Sequence, residues 1–285
     1  MRRGPRIVRK WAVGVAMVTV IASLSLAGGR HVDDPATSAN AVKPSGHRQI
    51  ASAARKGTST PDAGTPRAAA STPAAIASGP RTVDCRTLKC IALTFDDGPV
   101  SNTAKLLRIL KAHEARVTFF LIGQNAAAHP DMVRREVAEG HQVGDHSWDH
   151  SDLSVLSNAA IKSQLARTQA AVKNACGVAP VVLRPPYGNT NARVAAVARR
   201  YNLAQFLWAV DPFDWRDRDS ATVERRVVNG ARRDYVILMH DIQPTTVNAV
   251  PHILDRLAKK GFTFVTISEL FGAHQPVPGK KYTKY

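Results

Sequence analysis

From residue 81 onward, segments of strand type alternate with segments of helix type, and this alternation constrains the fold more than any other feature. Short apolar stretches rich in β-branched residues predict strands, whereas apolar residues spaced three and four apart predict helices. Seven strands are predicted, at Ile91–Phe95, Val117–Ile122, Gln142–Gly144, Val181–Leu183, Ala204–Val210, Tyr235–Met239 and Phe262–Thr266. Helices are predicted between them, beginning after Ser101 or Asn102 and after Ser157, and covering Asp131–Glu139, Asn191–Arg200, Ser220–Gly230 and Thr245–Lys260.

The order of these elements predicts the fold class. Strands that alternate with helices of this length are joined by right-handed crossovers and form a mainly parallel sheet. The seven units lack the glycine-rich phosphate-binding loop that marks many doubly wound sheets. The expected fold is therefore α/β, a distorted, mainly parallel (β/α) barrel of about seven strands.

Residues 1–80 do not share this alternation, and they divide into two segments. Residues 1–29 have the layout of an export signal or N-terminal anchor, because a basic start precedes an apolar stretch, Trp11–Leu26, and then small residues. Residues 30–80 are rich in Ala, Ser, Thr and Pro and predict a disordered linker. The folded domain is expected at residues 81–272, followed by a basic C-terminal tail, 273–285. We expect the protein outside the cell, either released or held at the membrane or cell wall; the sequence leaves cleavage of the signal open.

The formal net charge of +17 is unevenly distributed. Residues 1–81 contain 12 Lys and Arg against 3 Asp and Glu, so they contribute +9, and the remaining +8 is spread over the folded part as isolated residues. Because the sequence has neither a basic helix nor aromatic residues interleaved with basic ones, nucleic-acid binding is not expected. The charge instead indicates affinity for an anionic surface such as a cell wall. The sequence implies no stable protein partner.

Three cysteines fit an extracellular protein. Cys85 and Cys90 flank a short loop and can pair in an oxidising compartment. A zinc site built on the same C-x4-C spacing is the alternative, but no second ligand pair accompanies it. Cys176 is predicted to be a small buried apolar residue near a helix end.

Polar side chains gather where the predicted strands end. The residues concerned are Asp96 and Asp97 after the first strand, Asp145 and His146 after the third, Arg184 after the fourth, Asp211 and Asp214 after the fifth, and His240 and Asp241 after the sixth. In an α/β barrel the carboxyl ends of the strands form one face, and this face carries the active site. The sequence therefore predicts one polar site at that face.

Two histidines and a carboxylate in this set predict a metal site. His146 and His150 form an H-x-x-x-H pair, which on a helical turn places both imidazoles on one face. With Asp97 as third ligand, the donor set is Asp-His-His with positions left for water, which is typical of a catalytic metal site.

The remaining charged residues suggest acid–base chemistry. Asp96 lies beside the predicted ligand Asp97 and is expected to accept a proton from water, with Arg184 as its counter-charge. His240 follows an apolar run and is expected to emerge at the rim, where it can protonate a leaving group.

Five ordered motifs resemble those of the polysaccharide deacetylases, the NodB-homology family (carbohydrate esterase family 4). They are Thr94-Phe95-Asp96-Asp97-Gly98-Pro99, His146-Ser147-Trp148-Asp149-His150-Ser151, Arg184-Pro185-Pro186-Tyr187-Gly188, Asp211-Pro212-Phe213-Asp214-Trp215 and Leu238-Met239-His240-Asp241. The resemblance covers about residues 88–272 and implies a distorted (β/α) barrel.

The resemblance also implies a role for each motif residue. Those implied for catalysis are Asp96 as general base, His240 as general acid, Arg184 tuning the base and Asp214 orienting the acid, with Asp211 left open as the partner of His240. Those implied for metal binding are Asp97, His146 and His150, with zinc as the expected ion and cobalt or another divalent metal as the alternative. Those implied for substrate binding are Tyr187, Trp215 and Leu238, which would contact the oxyanion, the sugar and the acetyl methyl group.

The predicted activity is hydrolytic removal of N-acetyl groups from N-acetylglucosamine residues of a polysaccharide, with peptidoglycan or chitin-type polymer as the expected substrate. An acetylxylan esterase on the same scaffold is the close alternative, because the same attack cleaves an ester. A wall-binding module without catalysis is the alternative from a different class.

Overall fold

The computed structural model describes residues 81–285, so the predicted export signal and linker lie outside the described residues. In this part the strands are β1 (Lys89–Asp96), β2 (Thr118–Leu121), β3 (Gln142–Asp145), β4 (Val182–Leu183), β5 (Ala204–Phe206), β6 (Val236–His240), β7 (Phe262–Phe264) and β8 (Lys281–Tyr282). The α-helices are α1 (Thr103–Ala112), α2 (Gly123–Ala128), α3 (Pro130–Ala138), α4 (Asn158–Cys176), α5 (Ala192–Arg200), α6 (Asp214–Asp217), α7 (Ser220–Gly230), α8 (Pro244–Lys259) and α9 (Ile267–Phe271). Short 3₁₀ helices lie at Leu153–Val155 and Pro186–Gly188.

The strands form a single parallel sheet in the order β6–β1–β2–β3–β4–β5–β8, and β7 pairs with the start of β1. Two backbone hydrogen bonds curl this sheet back on itself. Ala209 N–H donates to the Val236 carbonyl (2.8 Å), and Leu238 N–H donates to the Val210 carbonyl (3.0 Å), so the segment after β5 meets β6. The predicted distorted, mainly parallel (β/α) barrel is confirmed, with β8 in addition to the seven predicted strands.

Strand β1 shows how the sheet separates two apolar regions. Because side chains alternate along a strand, Ile91, Leu93 and Phe95 pack under the surrounding helices, whereas Cys90 and Ala92 face the barrel interior. The interior face continues with Thr94 and Asp96, which are both buried. The polar end of β1 therefore enters the top of an otherwise apolar barrel.

The C-terminal residues 273–285, which the basic composition sets apart as a tail, lie against the barrel. Strand β8 pairs with β5, and the Tyr282 ring stacks on Phe206 with 5.2 Å between ring centroids. Tyr285 packs edge-on against Phe271 and donates its backbone N–H to the Asp234 carbonyl (3.1 Å). Two aromatic rings thus anchor the segment that the sequence marks only as a basic C-terminal tail.

Cys85 and Cys90 form a disulfide at the start of β1, which confirms the predicted pairing and excludes a zinc site on these two sulfurs. Cys176 is free and half-buried at the end of α4, where its Sγ contacts the Val172 carbonyl (3.2 Å). Among residues 81–285, none of the helices combines the length and the apolarity needed to cross a membrane.

Candidate active site

The polar strand ends meet at one cleft. The parallel register sets Asp96 opposite His240 and Asp145 opposite Leu183, so the residues that follow β1, β3, β4 and β6 reach the same edge of the sheet. The cleft has a volume of about 470 Å³ and is lined by Asp96, Asp97, His146, His150, Pro185, Tyr187, Trp208, Asp211, Trp215, Leu238 and His240. Arg184 and Asp214 lie behind this surface and contact residues that line it. The structure therefore brings together every residue to which a role was assigned, whereas Asp145 and Asp241 are buried beside the cleft and do not line it.

Arg184 is held in a fully buried position below the cleft. Its Nη1 donates to Asp96 Oδ1 (2.7 Å) and to Thr94 Oγ1 (2.7 Å), and its guanidinium carbon lies 4.2 Å from the Phe120 ring centroid. Its remaining nitrogens donate to the carbonyls of Phe206 and Leu207, each at 3.0 Å. Burial lowers the pKa of Arg184, and the neighbouring Asp96 carboxylate partly opposes this shift. The charges of Asp96 and Arg184 therefore compensate each other inside the barrel.

Asp97 and two histidines form a second group at the rim. The Nε2 atoms of His146 and His150 each lie 3.4 Å from Asp97 Oδ1, and the three side chains offer ligand atoms within 4.8 Å of one another. Asp97 Oδ1 is buried and accepts no hydrogen bond. Burial alone would raise the pKa of Asp97, but the contacts with His146, His240 and His150 outweigh this effect and lower it.

The donor set fits a divalent cation. His146 Nδ1 donates to the Arg184 carbonyl (2.6 Å), and this bond leaves the lone pair of the neutral ring on Nε2, facing Asp97. His150 Nδ1 contacts the Tyr187 hydroxyl (3.1 Å), so its Nε2 also faces Asp97. Two imidazole lone pairs and a carboxylate oxygen at these distances repel one another unless a cation lies between them. A set of two His and one Asp, oriented through their other ring nitrogens, is a typical zinc-type ligand set.

The H-x-x-x-H pair converges through a loop, so the predicted helical turn is wrong. Residues 146–150 contain no helix, and both Ser147 and His150 have a positive φ of 63°. Hydrogen bonds hold this unusual backbone, since Ser147 N–H donates to Asp145 Oδ1 (2.9 Å) and Trp148 N–H donates to Gln164 Oε1 (2.7 Å). The two imidazole centroids are 5.0 Å apart.

His240 is coupled to Asp214 across the cleft. Asp214 is fully buried; its Oδ1 lies 3.0 Å from His240 Nδ1, and its Oδ2 accepts the backbone N–H of His240 (2.8 Å) and the Thr246 hydroxyl (2.8 Å). Burial would lower the pKa of His240, but Asp214, Asp96 and Asp97 together raise it to about 9. The partner of His240 is therefore Asp214, because Asp211 Oδ1 instead accepts the Phe213 N–H (2.7 Å).

Close packing fixes the turn that carries Asp97. A Cβ at Gly98 would lie 2.7 Å from the carboxylate of buried Asp241, so only glycine fits there. Asp241 also accepts the Thr103 hydroxyl at the start of α1, and Asn125 Nδ2 donates to the Asp97 carbonyl (2.7 Å). The backbone of the candidate ligand Asp97 (φ 77°) is thus held from both sides.

Aromatic rings form the walls of the cleft. Tyr187 and Trp215 are 64% and 47% exposed, which leaves their faces available to a flat sugar ring. Trp208 also lines the cleft and packs against Gly188, where an added Cβ would lie 3.0 Å from the indole. Sequence reasoning missed Trp208 and Pro185 as lining residues. The sequence predicts a strand over Ala204–Val210 and so places Trp208 within the sheet. In the structure β5 ends at Phe206, and Trp208 lies on the rim after it.

Comparison with known proteins identifies the class. The sequence matches the polysaccharide deacetylase family over residues 84–206, and the chain belongs to this family. It is 42% identical over 198 residues to the peptidoglycan-N-acetylglucosamine deacetylase PgdA of Listeria monocytogenes, a match that covers 69% of this chain and 42% of the relative. It is 40% identical over 201 residues to a peptidoglycan-N-acetylglucosamine deacetylase of Bacillus cereus, covering 66% of this chain and 72% of the relative.

A solved structure supports the same conclusion. The family 4 carbohydrate esterase from Streptomyces lividans, in complex with acetate, is 38% identical and superposes with a TM-score of 0.62 over 65% of this chain and 95% of that one. The chain thus spans nearly the whole of this esterase structure but less than half the length of the Listeria relative.

Proposed function

We propose that this protein is a metal-dependent hydrolase that removes N-acetyl groups from N-acetylglucosamine residues of a cell-wall polysaccharide. The observation that carries the proposal is the set of three groups around one cleft: a buried carboxylate paired with an arginine, three converging metal-ligand atoms, and a histidine paired with a buried carboxylate. Amide hydrolysis needs a base, an electrophile and an acid, and these groups have the required chemistry.

Asp97, His146 and His150 would hold the metal, for which the donor set favours zinc over cobalt or another divalent ion. When bound, such a metal supplies Lewis-acid activation of the acetamide carbonyl and of a water molecule. This assignment also gives the unpaired Asp97 Oδ1 a partner.

Asp96 acts as the general base. Its Oδ2 lies 3.7 Å from His146 Nε2, so it faces the space beside the ligand atoms, while its Oδ1 is bound by Arg184. The carboxylate can therefore accept the proton of an attacking water without losing its counter-charge. Arg184 positions this base and keeps its charge compensated.

His240 acts as the general acid from the opposite wall. Its Nδ1 is occupied by Asp214, so Nε2 is the nitrogen left to protonate the departing sugar amine. The raised pKa keeps the imidazole protonated at neutral pH, as an acid requires. Tyr187 offers its backbone N–H to the developing oxyanion, a class of interaction worth roughly 3–4 kcal/mol per donor. Trp215 and Trp208 flank the sugar, and Leu238 contacts the acetyl methyl group.

Residues 1–29 and the Cys85–Cys90 disulfide support export, and the wall is then the accessible polymer. The deciding experiment measures acetate release by the purified full chain from peptidoglycan, chitin oligomers and acetylated xylan in parallel. We expect release from the polymers that contain N-acetylglucosamine. Release confined to xylan would make the protein an O-deacetylase, and binding without release from any polymer would make it a non-catalytic wall-binding module.

A further inference from the structure

The segment that contains α4 and α5 carries only positive charge. Between Asp152 and Asp211 the sequence contains no acidic residue and seven basic ones: Lys162, Arg167, Lys173, Arg184, Arg193, Arg199 and Arg200. Arg184 is buried against Asp96, and the other six are exposed on α4 and α5. The two helices pack side by side, and this packing brings Lys162 of α4 near Arg193 and Arg200 of α5.

A groove of about 730 Å³ lies between these helices. Its lining comprises Asn158, Ala159, Lys162, Ala192, Arg193, Ala196, Val197, Arg200 and Tyr201. The three basic side chains surround a floor of small apolar residues and one tyrosine ring. Arg193 donates to the Ser154 carbonyl (3.0 Å), and within residues 81–285 no carboxylate forms an ion pair with Lys162, Arg193 or Arg200. We call this surface the α4–α5 groove.

The α4–α5 groove adjoins the active-site cleft. Tyr187 lines the cleft, and Ala192, five residues later, lines the groove. The connecting segment is fixed to the loop that follows His150, because Asn189 Nδ2 donates to Asp152 Oδ2 (2.7 Å) and Asn191 Nδ2 donates to the Ser154 carbonyl (2.8 Å). A polymer held in the cleft can therefore place a side branch in the groove across this ordered wall.

We propose that the α4–α5 groove binds the carboxylates of peptides attached to the same glycan strand whose sugar occupies the cleft. This inference rests on the proposed function. Guanidinium groups of Arg193 and Arg200 bind carboxylates through paired hydrogen bonds, and Lys162 adds a third cation. The floor of Ala159, Ala196 and Val197 suits the aliphatic side chains of a short peptide. A phosphodiester polymer has the negative charge but no aliphatic side chains for this floor, and a chitin-type chain has no negative charge for the three cations. The groove would thus favour peptide-bearing glycan over bare glycan.

The test compares the full chain with the triple variant Lys162→Gln/Arg193→Gln/Arg200→Gln on three substrates. These are a glycan carrying peptides, the same glycan after the peptides are removed, and an N-acetylglucosamine oligomer. Exposed ion pairs each contribute little, so we expect the KM for the peptide-bearing glycan to rise about tenfold, with kcat unchanged. Kinetics on the other two substrates should not change, and raised salt should reduce the preference of the unmodified protein.

A matched control removes the same charges from other exposed helix positions: Arg108→Gln/Lys111→Gln/Arg225→Gln. If this control raises the KM as much, the effect is one of net charge and the groove is not a site. An unchanged KM of the groove variant on the peptide-bearing glycan overturns the proposal. A fourth substrate, glycan that carries a glycerol-phosphate polymer but no peptide, tests the alternative ligand: if the groove variant loses activity on this substrate alone, the groove binds that polymer and the peptide proposal is wrong.

A binding assay separates failure of this inference from failure of the proposed function. Retention of both proteins on the peptide-bearing glycan is measured by co-sedimentation, which requires no turnover. If the unmodified chain releases no acetate but the groove variant still loses retention, the proposed function is wrong and the groove is supported. If acetate is released normally and retention is equal, only the groove is refuted.

Discussion

Replacing Asp214 by asparagine tests the electrostatic basis of the general acid. In the unmodified protein, the pKa of His240 is raised from 6.5 to about 9 by Asp214 with help from Asp96 and Asp97, against the effect of burial. This shift corresponds to roughly 3 kcal/mol of preference for the imidazolium. Asp214→Asn removes the charge and keeps one of the two acceptor oxygens at this position, with an amide NH2 group in place of the other. The pKa of His240 should therefore fall below about 9.

The direction of the pH effects follows from this change. An acid must be protonated, so activity is lost as pH rises through the pKa of His240, and the alkaline limb of the kcat/KM profile should move to lower pH in Asp214→Asn. The pKa of His240 is higher in the folded protein than in the unfolded chain, so its protonation stabilises the fold. This contribution to the free energy of unfolding is complete below about pH 6.5 and is lost as pH rises through about 9. In Asp214→Asn, the free energy of unfolding should fall less over this pH range.

Two measurements check the prediction. Nuclear magnetic resonance titration of His240 in metal-free protein gives its pKa directly, and the pH profile of acetate release reports the working enzyme. Asp211→Asn is the control, because Asp211 lines the same cleft but accepts the Phe213 N–H instead of contacting His240. Asp214 does not raise the pKa of His240 if that pKa is equal in Asp214→Asn and the unmodified protein, or if the control lowers it equally.

Three further variants test the other groups. Asp96→Asn should lower kcat by roughly 10²–10⁴, the usual contribution of a general base, with unchanged metal content by elemental analysis; a near-normal rate would remove Asp96 as base. His146→Ala should lose bound metal in the same analysis, and full retention would contradict the ligand assignment. Arg184→Met should cost about 3–5 kcal/mol in urea unfolding because it leaves a buried carboxylate unpaired. Adding Asp96→Asn to Arg184→Met should restore part of that loss, and no recovery would show that the pair is not coupled.

The sequence predicted the convergence of the site because parallel strands impose it. Asp96, Arg184 and His240 each follow an apolar run, and His146 follows β3. Parallel strands that lie side by side end at the same edge of the sheet, regardless of the conformation of the loops. The register that sets Asp96 opposite His240 is a consequence of this topology. Alternation along β1 also predicts which face of the sheet Asp96 occupies.

What the sequence could not predict depends on tertiary contacts and on backbone conformation. The positive φ values at Ser147 and His150 carry no sequence signal, so the spacing of the two histidines predicts a helical turn where the structure has a loop. Thr94 and Thr246 resemble ordinary strand and helix residues, and only packing brings their hydroxyls to Arg184 and Asp214.

Asp96 and Asp97 differ because the backbone turns between them. Asp96 is the last residue of β1 and continues its interior face, so its carboxylate reaches Arg184 in the barrel. At Asp97 the backbone turns, with a φ of 77°, and the strand ends. The Asp97 side chain therefore lies at the rim, near His146 and His150. Two carboxylates on one face would raise each other's pKa. The turn places Asp96 beside Arg184 and Asp97 beside the two histidines. Asp97 can therefore remain a metal ligand while Asp96 exchanges a proton. Gly98→Ala, whose Cβ would lie 2.7 Å from the Asp241 carboxylate, should displace this turn and therefore lower both the metal content by elemental analysis and kcat for acetate release.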